Sequence, residues 1–257
     1  MSLKAKKARI TKEAKKTDKR IESFVADFST WFKASVGDLL DDIKDNNEPV
    51  LALGGLINGM YERGLKPELN KIAGLYGSEL ATVKRELARD GLEWQVVNED
   101  TVEALIQFRV EDIENRAGET IGSLRPMVLE SIITGERPDF DKLEEQIGSR
   151  LTSYAKTELD TSIAAFNRTL TFNQGQAVGI EQYLYIGPFD KITRPFCRDV
   201  LASRSPAIYS IKEIASMDNG QGLSVIQTGG GYNCRHIWSP VPKGREKELI
   251  QETTAVD

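Results

Sequence analysis

A chain of 257 residues with 28% charged and 40% hydrophobic side chains has the make-up of a folded globular protein, large enough for one big domain or two modest ones, and not of a disordered one. Its longest strongly apolar run, Val50 to Ile57, is far shorter than the roughly 20 residues a membrane-spanning helix needs, and the N-terminal stretch lacks the apolar core of a secretory signal, so no membrane association is expected. Two cysteines make no disulfide framework and point to a reducing cytoplasm.

Residues 1–20 read as a basic tail or the solvated end of a first helix. They carry nine cations (Lys4, Lys6, Lys7, Arg9, Lys12, Lys15, Lys16, Lys19 and Arg20) and two acids, a net +7, which leaves the other 237 residues at −12 against −5 for the whole chain. A body that acidic repels a phosphate backbone, so contact with nucleic acid is expected through these basic residues alone.

Residues 21–176 read as a helical module. Apolar positions at Ile21, Phe24, Val25, Phe28, Phe32, Val36, Leu39 and Ile43 recur three and four apart, the spacing of one helix face, until Asp45 to Pro49 breaks it. Further helices are expected over about 50–63, over 67–89 with Gly91 as the stop, and from an N-cap at Asn98 or Asp100 towards Ile133, with a break near Gly118. Glu93 to Val97 reads as a short strand. A last long helix places Leu143, Ile147, Leu151, Tyr154, Leu159, Ile163, Phe166 and Leu170 on one side, and Glu158 and Arg168 on it read as solvated or fold-linking rather than catalytic.

Beyond it, residues 177–243 lose helical periodicity and gain glycine, proline and aromatic side chains. "EQYLYIG" alternates as a strand with Tyr183 and Tyr185 on one face and Leu184 and Ile186 on the other; "IYSIKEIASM" predicts a strand running into a short helix capped by Ser210; "NGQG" is a turn; "HIWSPVP" is a closing strand. Residues 244–257 form a C-terminal tail. The fold class expected is therefore a mainly α N-terminal helical module followed by a small α+β C-terminal domain. Some sixty residues make a marginal core, so that domain needs packing against the helices or a staple.

Staple candidates stand in "TRPFCRD" and "GGGYNCRH", which hold both cysteines and the only histidine. Cys234 and His236, two apart in a strand, point to one side, and Cys197 lies on a turn the fold can bring alongside. Thiolate and imidazole suit zinc, with Asp190, Asp199 or a water as fourth ligand. The same three residues could equally be buried thiols beside a hydrogen-bonded interior histidine, or a Cys-His nucleophile pair, for which no orienting third residue stands out. Asp190, Arg194, Arg198, Asp199 and Arg235 suit a buried ion network fixing the turn, or a substrate site. Gly229 to Gly231 lack the strand and helix context of a phosphate loop and read as a turn.

In the order "TEL", a strand, "GPFDKITRPFC", "EIASMDNGQG", "GGGYNCRH" and "PV", the stretch from Tyr154 to Val241 strongly resembles the C-terminal region of tailed-bacteriophage minor head proteins, the phage Mu F-like head morphogenesis family. Many relatives carry Cys-x-x-Cys where this chain has Arg194 before Cys197, and some end in "NCRC" where it has His236. Fifteen residues follow Pro242, too few for the enzyme or toxin domain some relatives carry there.

The resemblance implies a non-enzymatic virion protein of few copies, assembled in the host cytoplasm and placed in the head interior or at the portal. Its expected partners are the portal protein and the major capsid or scaffold protein, with phage DNA reached through residues 1–20. Asp190, Arg194, Cys197, Asp199, Cys234, Arg235 and His236 would then clasp the C-terminal domain, with zinc at Cys197, Cys234 and His236 optional. The alternative is a zinc-dependent hydrolase or nuclease delivered during infection.

Overall fold

A computed structural model describes residues 2–45, 55–94, 99–123 and 140–254, with a few positions between 126 and 134. The protein is mainly helical, with a small three-stranded antiparallel sheet and short helices in its C-terminal part. Helix α1 spans Leu3–Asp45, α2 Leu56–Glu62, α3 Leu65–Arg89, α4 Glu99–Gly122 and α5 Phe140–Ala177. After these come β1 Gln182–Ile186, α6 Pro195–Ala202, β2 Ile208–Ser210, α7 Ile211–Ser216, α8 Val225–Thr228, β3 Ile237–Pro240 and α9 Arg245–Thr254. No described helix is long and apolar enough to cross a membrane.

Most of the expected elements form where periodicity places them. Helix α3 stops where expected, at a Gly91 with φ +76 that lets the Leu92 amide return to the Leu87 carbonyl at 3.0 Å. Helix α4 runs through Gly118 without a break and ends at Gly122, and Asp100 lies inside it rather than at its cap. Glu93 and Trp94 are not in a strand; residues 95–98, with the rest of that strand and Asn98, lie outside the described residues, as do 46–54 and 135–139.

Two compact units divide the chain, one of Ile21–Gly74 and Glu103–Glu158, the other of Met1–Arg20, Leu75–Val102 and Leu159–Asp257. The first is all helical where described, and along α1 Phe24 stacks on Phe28 at 5.8 Å while Phe32, one turn on, meets Phe28 tilted at 5.9 Å. Tyr61 hydrogen bonds Glu114 within it, and Arg109 lies 3.6 Å from Glu158.

The second unit holds the sheet, in the order β2-β1-β3. Tyr183 pairs with Tyr209 and Tyr185 with Trp238, so alternation gathers four aromatic rings on one face. That face buries Phe172, Ile180, Val200, Ile214, Val225, Cys197 and Cys234 with it. Gly175 leaves room for the Tyr183 ring, which stacks on Phe172 at 4.1 Å, and burial pushes the Tyr183 phenol up to about 12. Ser210 ends β2 and caps α7 through a reciprocal capping box with Glu213, whose carboxyl Arg204 and Ser210 hold down at about 2.

On the opposite face, Leu184, Ile186 and Val241 pack with Leu3, Ile10 and Leu249. Here the structure departs from a free tail at either end. Residues 3–20 are the opening turns of α1, folded into the same unit as the sheet, and α9 replaces a C-terminal tail. Burial of an Ile or Leu side chain stabilises by about 1.5–3 kcal/mol, so Leu3, Ile10 and Leu249 together outweigh the modest repulsion among neighbouring lysines. The small domain thus has the packing against helices that its size requires.

Candidate functional site

Cys197 enters the core from the first turn of α6, where Pro195 starts the helix with a fixed φ and no lost donor. Cys234 and His236 come from the irregular segment just before β3, which begins at Ile237, so the pair reaches one cluster without being in a strand. The three side chains are 1%, 3% and 2% exposed, and their ligand atoms all lie within 4.8 Å of one another. Sγ of Cys197 is 3.7 Å from Sγ of Cys234, which is 4.0 Å from Nδ1 of His236.

Tyr185 of β1 closes the group. Its hydroxyl is 3.3 Å from the Cys197 sulfur and 3.6 Å from that of Cys234, and its ring stacks on His236 at 5.1 Å. Two glycines make the space: a Cβ at Gly187 would lie 2.8 Å from the His236 Cα, and one at Gly230 would collide with the Cys197 sulfur. Gly229 and Gly231 supply the turn with φ +57 and +96, and the Gly230 amide donates to the Cys234 sulfur at 3.2 Å.

Behind the sulfurs lies Arg168 of α5, 1% exposed. Its Nε donates to the His236 carbonyl at 2.8 Å, Nη1 to that of Gln227 at 2.9 Å and Nη2 to that of Cys234. One guanidinium thereby ties the long helix both to α8 and to the end of the "GGGYNCRH" loop. The hydrogen bond from the Cys197 thiol, with Arg168 and His236 acting against burial, pulls Cys234 well below the ordinary thiol range; the same bond and burial push Cys197 up.

The expected arginine and aspartate network is smaller and more exposed than anticipated. Arg235 forks onto both Asp190 oxygens at 2.7 Å, which holds that carboxyl below its usual range, and Arg198 donates to the Asp190 and Thr193 carbonyls at 2.6 and 2.9 Å. Thr193, which spacing did not single out, accepts the Asp190 amide at 2.8 Å and fixes the turn. Arg194 occupies the N-cap position of α6 without a side-chain cap bond. Asp199 lies on the exposed side of α6, lining a cleft of about 500 Å³ with Lys7, Phe189, Arg198 and Arg204. Neither aspartate joins the two cysteines and the histidine, the one such cluster among the described residues.

The basic residues of the first helix separate into partnered and exposed ones, and Arg20 is among the partnered, donating to Thr17 at 3.0 Å and lying 3.9 Å from Glu79. Lys6 is buried against Asp90 at 2.8 Å and Arg9 reaches Glu86 at 2.5 Å, while burial lowers the Lys6 ammonium from its usual value. Lys4, Lys7, Lys12, Lys15, Lys16 and Lys19 are exposed along one side of the helix.

No family model, no curated protein and no solved structure matches the chain.

Proposed function

We propose that the protein is a minor head component of a tailed bacteriophage, acting in head morphogenesis beside the portal and inside the procapsid. The reading rests on the Mu F-like stretch from Tyr154 to Val241, and one observation supports it most: the separated blocks of that stretch pack on one another. Asn219 of "NGQG" donates to the Gly229 carbonyl at 3.0 Å, and Gln221 accepts the Tyr232 amide at 3.0 Å, tying that block to "GGGYNCRH". Cys197 of "TRPFC" meets Cys234 and His236.

Burial of all three Cys and His side chains supports a structural clasp over a hydrolytic centre, because a catalytic metal needs a position open to substrate. The exposed lysine row on α1 supplies a pre-formed cationic surface for packaged DNA. Co-expression with the portal protein of the encoding phage tests the reading. The two should elute together in size-exclusion chromatography; separate elution in low salt, with each partner folded, would count against it.

A further inference from the structure

We infer that Cys197, Cys234 and His236 hold one zinc ion that closes the C-terminal domain, with the Tyr185 hydroxyl facing the fourth side. The inference stands on geometry and does not depend on the virion reading. A tetrahedral zinc with bonds of about 2.3 Å to sulfur and about 2.0 Å to nitrogen or oxygen sets its sulfurs about 3.8 Å apart and its mixed pairs about 3.5 Å apart. Here the two sulfurs are 3.7 Å apart, sulfur and Nδ1 4.0 Å, and the phenol oxygen 3.3 and 3.6 Å from the sulfurs. Two cysteines and a histidine from two separate segments, all within 4.8 Å of one another and with the phenol oxygen beside both sulfurs, therefore gather around one point that an ion could occupy.

The surroundings fit an ion better than they fit bare thiols. The contact of His236 Nδ1 with the Cys234 sulfur, at 4.0 Å, is long even for sulfur, so the ring is held mainly by stacking on Tyr185 and by the room at Gly187. Coordination at Nδ1 would replace that long sulfur contact with a bond and leave the ring proton on Nε2. Two thiolates balance the two charges of zinc, and their protons leave to solvent on binding. Arg168 holds the carbonyls of Cys234 and His236, which fixes the two ligand residues from behind in the way outer partners orient metal ligands.

The full chain, purified without a histidine tag and dialysed against metal-free buffer, should retain about one zinc per molecule by elemental mass spectrometry. A strong chelator should remove it and lower Tm, and added zinc should restore both. Tyr185→Phe keeps the ring and should weaken zinc about 10–100-fold. Cys234→Ser should lose it. Because that variant can fail to fold, cobalt(II) added to the stripped wild-type chain provides the second reading: thiolate-to-cobalt charge transfer with tetrahedral ligand-field bands is expected. Less than about a tenth of an equivalent of zinc, no such bands, and a Tm indifferent to zinc and chelator would overturn the assignment.

Discussion

Arg168 decides whether the clasp is held from behind. Its guanidinium is buried with three carbonyls as acceptors, so Arg168→Met leaves those carbonyls facing an apolar side chain. Each unsatisfied group costs about 1–3 kcal/mol, and the variant should lose about 3 kcal/mol or more in chemical denaturation. A loss below about 1 kcal/mol would mean that the loop holds its shape without the arginine. The sequence offers Arg168 only as a solvated or fold-linking residue, and which of the two it is depends on acceptors some sixty residues away. Cys197, Cys234 and His236 were legible because they are chemically rare in the chain. Tyr185 was legible as a strand residue but not as a partner of sulfur, since that depends on how α6 and the loop before β3 meet it.

The first turns of α1 show where element-level reading stops. A net charge of +7 hides two apolar residues, Leu3 and Ile10, which are seven apart and so lie on the same side of a helix two turns along. That spacing was available, but only the sheet face they cover explains them. Ile10→Asp removes a buried aliphatic side chain and puts a carboxylate in its place, and should destabilise by about 3–5 kcal/mol in a denaturant titration. The triple change of Lys12, Lys15 and Lys19 to Ala, on the exposed side, should move stability by no more than about 1 kcal/mol. It should make the salt dependence of DNA binding shallower by about 2–3 in log-log slope. A silent Ile10→Asp would return residues 1–20 to the status of a free tail. The strands, by contrast, were legible at this scale because a period of two in "QYLYI" separates an aromatic face from an aliphatic one before any partner is known.

At the scale of the whole molecule, helices followed by a small α+β region could be read from periodicity and its loss, whereas the division into units could not. Each of α1, α3, α4 and α5 contributes residues to both units, a consequence of chain path that local patterns do not encode. Both ends of the chain, Leu3 and Leu249, contribute to the core cluster on one face of the sheet. The functional reading needs the same scale, because a minor head protein is defined by where it resides and in how many copies. If the proposal holds, quantitative mass spectrometry of purified procapsids and mature virions of the phage proposed to encode the chain, normalised to the portal protein, measures that directly. A few copies per portal ring are expected in procapsids. Absence from both particles, in cells where the chain is expressed, would contradict the proposal.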